Sequence, residues 1–340
     1  MATVPATHGL SVRDETKPFI LIGAVLVGIL INRLLGGGAP WMLSFVNIGV
    51  FFVILAVMLS VEIKEVTRAF RKVKPTILAL VVNFVFIPLF AWAMGWLFLR
   101  NQPDFWAGVI LYTLTPCIGW YLIFIDLAQG DVAWGMALLP WNITLQVVLM
   151  PVYLYFLVGK VLPLDLGAMV QSVVLYLFLP FILAFALQKF IIARRGRDYF
   201  FGPFKHALGE VKLWALVVVI VAMFASQSAL GLGDLGRVAL IIGVLALFFL
   251  VLFLLALVVG HLAGLTYEEN TTLSFTTTAR NSEAVIGVAI SAFPGHPLVY
   301  LAIILGPIVE LPVLLLISRI LLSLKQKLWK PAPVPAETGD

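Results

Sequence analysis

Three ionisable side chains stand within long apolar stretches of this sequence and are the first candidates for chemistry. Arg280 and Glu283 lie three residues apart in one stretch, and Glu310 lies in the next. An ionisable group in hydrocarbon is costly, so those that persist usually face a cavity or a partner and mark a transport pathway. Arg280 and Glu283 could instead neutralise each other on one helical face. Glu310 could likewise form a permanent ion pair with Arg280 or lock a bent helix.

Cys117 is the only cysteine of the chain, which excludes an intramolecular disulfide and every multi-cysteine metal motif. It follows Thr115 and Pro116 in the middle of an apolar stretch. Proline removes a backbone donor and clashes with the preceding turn, so carbonyl groups near residues 111–113 are expected to need other partners. A free cysteine is often only a small buried apolar residue. Beside a broken helix, its thiol is also a candidate ligand.

Neutral polar side chains interrupt the same stretches. Asn142 and Gln146 are one helical turn apart and are expected to face one cavity, although either could serve only in helix packing. Residues 276–283 form a polar octet, which predicts a locally unwound helix that lines a cavity. Further polar residues of the apolar stretches are Asn83, Gln227 and Ser282. The candidates for substrate binding are Thr115, Cys117, Asn142, Arg280 and Asn281.

The elements that must position these residues are membrane helices. The chain is 62% apolar and 11% charged, with a mean hydropathy of +1.09, whereas an average soluble domain is about 25% charged. A membrane span needs roughly 20 apolar residues. Ten such runs are predicted, at residues 18–35, 40–62, 75–99, 105–126, 132–159, 169–192, 208–230, 236–264, 267–293 and 297–323.

Basic residues in loops, tails and span ends predict the orientation, because the cytoplasmic side carries the excess of Lys and Arg. With the N-terminus inside, 17 of the 22 basic residues fall on the cytoplasmic side, 4 fall on the outer side and Arg280 lies in the interior of a span. The four on the outer side are Arg33, Arg100, Lys160 and Arg237. Both termini are therefore expected to be cytoplasmic, in a multi-pass protein of the cell (inner) membrane.

Similar features recur about five spans apart. Basic loops follow spans two and six, and polar breaks interrupt spans four and nine. Because five is odd, a second five-helix unit would enter the membrane upside down, which is the inverted-repeat design of many transporters. The predicted fold class is all-α, with a cytoplasmic tail at 1–17, repeats at 18–159 and 160–323, and a second tail at 324–340.

Other classes of protein are disfavoured. Basic residues form short clusters between apolar runs instead of a dense stripe, so nucleic acid is not an expected partner. Four histidines in tails or loops have no metal-ligand spacing, no glycine loop could hold a nucleotide, and no cofactor is predicted. An intramembrane enzyme could use Cys117 as nucleophile, but no positioned base is visible. The prediction is a transporter for a small molecule, embedded in lipid and driven by an ion gradient.

One further motif carries a family resemblance. Residues 306–313 read Gly-Pro-Ile-Val-Glu-Leu-Pro-Val, with Glu310 between two prolines. Together with ten spans, a cysteine motif in span four and a polar motif in span nine, this segment resembles the arsenite efflux permeases of the bile acid:sodium symporter superfamily. Two departures mark a divergent member: that family usually has Ala-Arg-Cys at 115–117, and its ninth span lacks the arginine at Arg280.

The resemblance implies a substrate and a mechanism. By resemblance, Cys117 and Glu310 are the residues associated with transport, and Cys117 is expected to bind As(III) or Sb(III). An isolated carboxylate within a span can load and release a proton, so Glu310 is expected to couple transport to protons, with Glu283 as the next candidate. Trivalent arsenic and antimony are soft and prefer thiolate ligands, and a single thiol gives the weak, reversible binding that export requires. The expectation is proton-coupled efflux of arsenite, antimonite or a related small oxyacid. The alternative is sodium- or proton-coupled symport of an organic anion whose carboxylate pairs with Arg280.

Overall fold

The computed structural model describes residues 12–35, 41–59, 72–117, 120–163, 166–226 and 235–328. Its regular structure is helical, and no β-strand occurs within these ranges. Helices satisfy their backbone donors and acceptors within one segment, except at the helix ends, which is why a chain of this hydropathy folds in this way in lipid. The prediction of an all-α membrane protein is confirmed.

We number the helices in chain order, and where a π-helical turn joins two segments we give one label to the continuous helix. The helices are α1 (Val12–Leu34), α2 (Met42–Leu59), α3 (Val73–Leu99), α4 (Pro103–Thr113), α5 (Trp120–Leu127), α6 (Val132–Val158), α7 (166–195), α8 (Lys205–Ser226), α9 (Leu235–Leu262), α10 (Tyr267–Thr278), α11 (Ser282–Ala292) and α12 (Pro297–Leu328). A short helical segment at Arg197–Tyr199 and a π-helical turn at Phe200–Phe204 precede α8 and are left unlabelled, because the backbone is not helical at Gly202.

Within the described ranges, five helices are long and apolar enough to cross a membrane. They cover Val73–Leu99, Val132–Val158, Val174–Arg195, Gly236–Leu262 and Leu298–Lys325. Many of their large apolar side chains are exposed, as expected of surfaces that face lipid; Leu89 and Leu97 of α3 are examples. The chain is therefore a multi-pass membrane protein, and the total of ten spans, arranged as inverted repeats, stays a prediction.

The fourth and ninth predicted spans are each broken into two half-helices. Span four divides into α4 and α5 at the proline motif, as predicted. Span nine divides into α10 and α11, but the predicted break at 276–283 is too long, because only residues 279–281 lie between the two helices. The threonines before the break stay helical: the Thr277 hydroxyl donates to the Leu273 carbonyl (2.8 Å), which satisfies it inside the helix.

Each helix makes its largest contacts with a few neighbours. The helices α1 and α2 both pack against α8, and α7 packs against α2 and α11, whereas α4 packs against α3 and α12, and α9 packs against α10 and α12. The structure contains a cavity of about 500 Å³. Its lining comes from α2, α6 and α7, and is mostly apolar: Met58, Pro140, Trp141, Ile143, Phe181 and Phe185, with Thr144 and Gln188 among the polar contributors.

An ion cluster joins several helix ends on one side of the molecule. The ammonium group of Lys72, just before α3, lies 2.8 Å from Asp131, the N-cap of α6, and 2.7 Å from Glu269 in the first turn of α10. Burial alone would lower the pKa of Lys72, but the hydrogen bonds and charges of Asp131 and Glu269 outweigh burial, and the pKa is raised from 10.5. Lys72 therefore stays charged at every pH below that value.

Contacts between loops agree with the alternation of the predicted spans. Lys72, Asp131 and Glu269 fall on the same predicted side and meet in the structure. On the other predicted side, the carboxylate of Asp104 lies 3.0 Å from His296 Nδ1. Which of these two sides faces the cytoplasm stays a prediction.

Candidate functional site

The two broken spans cross each other, and their backbones bond directly at the crossing. The Cys117 N–H donates to the Ala279 carbonyl (3.0 Å), and the Asn281 N–H donates to the Thr115 carbonyl (2.8 Å). Pro116 and Arg280 thus face each other as an isolated antiparallel bridge. Broken helices inside a membrane need partners for their free backbone groups, and here each break supplies partners for the other.

The side chain of Thr115 closes the same contact from within span four. Its hydroxyl lies 2.8 Å from the Asn281 carbonyl and 3.1 Å from the Tyr112 carbonyl. Proline at position 116 leaves the Tyr112 carbonyl without its usual helical donor, and this hydroxyl is placed to serve it. Thr115 is therefore a structural tie between the breaks, and its hydroxyl is already engaged with protein atoms.

Glu310 of α12 touches both broken spans. One carboxylate oxygen accepts a hydrogen bond from the backbone N–H of Arg280 (3.0 Å), and the other accepts one from the hydroxyl of Tyr112 on α4. The Glu310 side chain is only 4% exposed. A change in the charge of this carboxylate would therefore act on α4 and on the span-nine break together.

Gly306 gives the Tyr112 ring room to reach Glu310. Gly306 lies one turn before Glu310 on α12, and a Cβ atom at this position would lie 2.3 Å from the Tyr112 ring. No side-chain carbon fits at that distance unless the ring moves. The glycine of the motif at 306–313 thus positions the tyrosine that binds the glutamate of the same motif.

Arg280 is buried, and its guanidinium binds neutral oxygen atoms. It donates to the carbonyl of Thr113 (3.1 Å), at the end of α4, and to the side-chain oxygen of Asn83 on α3 (3.0 Å). It also donates to carbonyls in the last turn of α10, those of Thr276, Thr277 and Thr278. Because an uncompensated buried charge is very costly, this set of acceptors explains how the guanidinium can lie there at 3% exposure.

Cys117 lies in the span-four break, where it is 2% exposed. It belongs to an apolar cluster that includes Leu139 and Ile143 of α6, with Phe181 of α7 packed against it. Ile143 and Phe181 also line the cavity of about 500 Å³. The apolar cluster that contains Cys117 therefore shares two residues with the lining of this cavity.

Several buried polar atoms near the crossing have no hydrogen-bond partner within the described residues. They include the side-chain oxygens of Asn142 and Gln146 on α6 and the amide nitrogen of Asn281. Two hydroxyl groups of α10 share this property, those of Ser274 and Thr278. Buried polar groups are nearly always satisfied, so water or a polar substrate is the expected partner for these atoms.

The structure brings most of the predicted site residues to one place. Thr115, Cys117, Arg280 and Asn281 meet at the crossing, and Glu310 binds the Arg280 backbone. Asn142 reaches the same region through its amide, 3.4 Å from the Thr276 hydroxyl. Glu283 lies in α11, but its side chain is outside the described residues, as is Gln227 altogether.

Tyr112 and Asn83 were not selected from the sequence as site residues. Tyr112 carried one usable signal, since a tyrosine in the middle of an apolar span needs a partner for its hydroxyl. Asn83 was visible only as one of several polar span residues. Their roles come from contacts over more than 190 positions of sequence, with Glu310 and Arg280 respectively.

The chain is similar in sequence to known membrane transport proteins. The family model described as "Sodium Bile acid symporter family" matches residues 47–232. The arsenical-resistance protein Acr3 of Corynebacterium glutamicum is 27% identical, over 95% of this chain and 92% of the relative. The Acr3 protein of Alkaliphilus metalliredigens is 24% identical over 90% of this chain and 91% of its own length. An uncharacterized transporter of Synechocystis is 25% identical over 90% and 87%.

Proposed function

The chain belongs to the sodium bile acid symporter family, and within that family we propose that it exports trivalent arsenic or antimony in exchange for protons. Like these relatives, it is a membrane transporter and not an enzyme. We further propose ten spans in two inverted five-helix repeats, with both termini in the cytoplasm and the protein in the cell (inner) membrane.

The observation that carries the substrate proposal is the position of Cys117. The only thiol of the chain lies in the break of span four, next to the bridge between Pro116 and Arg280, and its apolar cluster shares Ile143 and Phe181 with the cavity of about 500 Å³. At neutral pH, arsenite is the uncharged acid As(OH)₃. Its arsenic can exchange one hydroxyl for the cysteine sulfur: the S–As bond forms, an As–OH bond breaks, and the thiol proton leaves with that hydroxyl as water.

Neutral polar groups suit the rest of such a substrate. The bound species keeps two hydroxyl groups, which can donate and accept hydrogen bonds. The side-chain oxygens of Asn142 and Gln146 and the side-chain nitrogen of Asn281 are buried and have no hydrogen-bond partner among the residues that the structure describes. An uncharged trihydroxide can be bound by such groups without the desolvation cost of a full charge.

Glu310 supports the proposal of proton coupling. In the inward-open state its deprotonated carboxylate would accept from Tyr112 and from the Arg280 backbone and hold the two breaks in place. A proton taken up from outside would remove the charge that strengthens these bonds. Both breaks would then loosen together, and the cargo at Cys117 would be released.

The geometry gives less support to the organic-anion alternative. That alternative needs the Arg280 guanidinium to pair with a carboxylate of the substrate. The guanidinium instead donates to the carbonyls of two helix ends and to Asn83. A substrate carboxylate would have to displace these acceptors and leave several carbonyls unsatisfied in the membrane.

The test is transport by the parent and by Cys117→Ser. Everted membrane vesicles with an imposed pH gradient are incubated either with arsenite, whose accumulation is measured by mass spectrometry, or with labelled organic acids. Each assay is carried out once in sodium and once with choline in place of sodium. The serine variant should be made in equal amount and unfold at the parent's temperature, yet accumulate no more arsenite than vesicles without the protein. Serine has a similar size but offers a hard oxygen in place of a soft sulfur.

Other outcomes contradict the proposal. Full arsenite accumulation by the serine variant would overturn the role of the thiol. Accumulation of an organic acid by both proteins, without accumulation of arsenite, would favour the anion alternative. Sodium-dependent accumulation would overturn proton coupling.

A further inference from the structure

We propose that neutral oxygen atoms at the crossing form a cation site, and that the guanidinium of Arg280 permanently fills this site as a cation attached to the chain. The protein would then need no sodium or other alkali cation from solution at this position. This inference concerns the cation site and not the substrate. It rests on the proposed function only in the tests that measure transport.

The first argument is the set of atoms around the guanidinium. Its acceptors are the carbonyl oxygens of four threonines and one amide oxygen, contributed by three separate helices, α3, α4 and α10. Oxygens of these kinds, backbone carbonyls and side-chain amides, are ligands that hard metal cations take in proteins. The carboxylate of Glu310, bonded to the backbone N–H of the same arginine, adds a negative charge nearby.

The second argument is the direction of the helices. Thr113 is the last residue of α4, and Thr276, Thr277 and Thr278 form the last turn of α10. Each helix end of this kind carries about half a negative charge on carbonyls that lack helical partners. Two such ends meet in the middle of the protein, so a positive charge between them is required.

The third argument is that the guanidinium is committed to this position. It is 3% exposed, and donors on all three of its nitrogen atoms are directed at protein oxygens. Glu310 receives the backbone N–H of Arg280, so the carboxylate is bound even without help from the guanidinium. Removal of the side chain beyond Cβ should therefore leave the oxygens in place, with a vacancy of the size of a small cation.

Arg280→Ala tests this by rescue. The parent and the variant are purified in detergent, and their thermal unfolding is measured in choline chloride, in sodium chloride, and in choline chloride with millimolar guanidinium. We expect the variant to unfold at a lower temperature than the parent, and guanidinium or sodium to restore much of the difference in a saturable way. The parent should not respond to either cation, because its site is filled.

Two controls show whether the rescue arises at this site. Arg100→Ala removes an exposed arginine that stacks on Trp96, and should create no response to either cation. The double variant Arg280→Ala with Asn83→Ala lacks one oxygen of the site, and should need about tenfold more guanidinium for half of the effect, as expected for the loss of one hydrogen bond to a charged group.

An alanine variant that folds and responds to no cation overturns the proposal, as does parent flux that requires sodium. If the alanine variant cannot be isolated even with guanidinium, Arg280→Lys replaces it in the test, because lysine keeps the positive charge. A folded lysine variant with sodium-independent flux supports a cation attached to the chain, and an unfolded or sodium-dependent one overturns it. The unfolding measurements need no substrate, so failure to transport arsenite would count against the proposed function alone.

Discussion

The two broken spans are interrupted for different physical reasons. In span four, Pro116 removes a backbone donor, so the break is a consequence of the local sequence. Span nine has neither proline nor glycine between Thr278 and Ser282. Its break is held by contacts: Arg280 binds the carbonyls before it, and the Asn281 side chain caps the helix after it, accepting from the Ala284 N–H (3.2 Å).

This difference suggests a division of labour. A break caused by proline does not depend on contacts with other helices, so Cys117 lies at a helix break even when the contacts around it change. A break held by contacts can be changed when a contact changes. Glu310 holds such a contact with the backbone of Arg280 and also binds Tyr112 on α4, so its protonation would loosen the hold on both spans and would change the break itself in span nine.

Glu310→Gln tests the link between the two breaks and should have the largest effect. Glutamine has the same shape as glutamate but neither binds nor sheds a proton, and its hydrogen bonds to Tyr112 and to the Arg280 backbone lack the carboxylate charge. Arsenite uptake into everted vesicles driven by a pH gradient should therefore fall by about tenfold or more. Exchange of arsenite between equal pools should continue. Glu310→Asp should keep part of the uptake with an altered pH optimum.

Glu268→Gln is the matched control for this measurement. Glu268 is an exposed carboxylate in the first turn of α10, near Lys325, and its replacement should leave uptake at the level of the parent. Uptake by Glu310→Gln equal to that of the parent would show that Glu310 is structural, and Glu283 would become the candidate for coupling.

Gly306→Ala sharpens the comparison from the side of span four. The added methyl group would overlap the Tyr112 ring, and overpacking of this kind costs about 1–3 kcal/mol. The thermal unfolding temperature in detergent should fall, and pH-driven uptake should fall with it because Tyr112 is displaced from Glu310. Gly243→Ala, on the exposed face of α9 where a Cβ meets nothing within 4 Å, should not destabilise the protein. Equal unfolding temperatures for Gly306→Ala and the parent would show that the ring moves freely.

Asn281→Ala addresses the cap of span nine and should have the smallest effect. Loss of an N-cap side chain costs about 1 kcal/mol, so the variant should unfold at a slightly lower temperature. Asn281→Ser should recover most of the loss, because serine also caps a helix. If alanine and serine behave alike, the cap does not hold the break, and the contacts of Arg280 must hold it alone.

The sequence predicted what has a local cause. The break at Pro116 and the long apolar helices follow from residues that are adjacent in the chain. The length of the span-nine break was overestimated because threonine looks polar in a sequence, whereas in a helix its hydroxyl bonds to the preceding turn. The contacts of Glu310 with Tyr112 and of Arg280 with Asn83 join distant segments, and no property of the single residues specifies such pairs.

The ion cluster of Lys72, Asp131 and Glu269 has a mechanical consequence. It ties the start of α3 to the starts of α6 and α10, and Lys325, near the end of α12, extends the tie through Gln129. Helices joined at their ends in this way resist sliding past one another, so a displacement at one end is transmitted along the whole set. The helices α3, α6, α10 and α12 are therefore expected to move as one set when the transporter changes state.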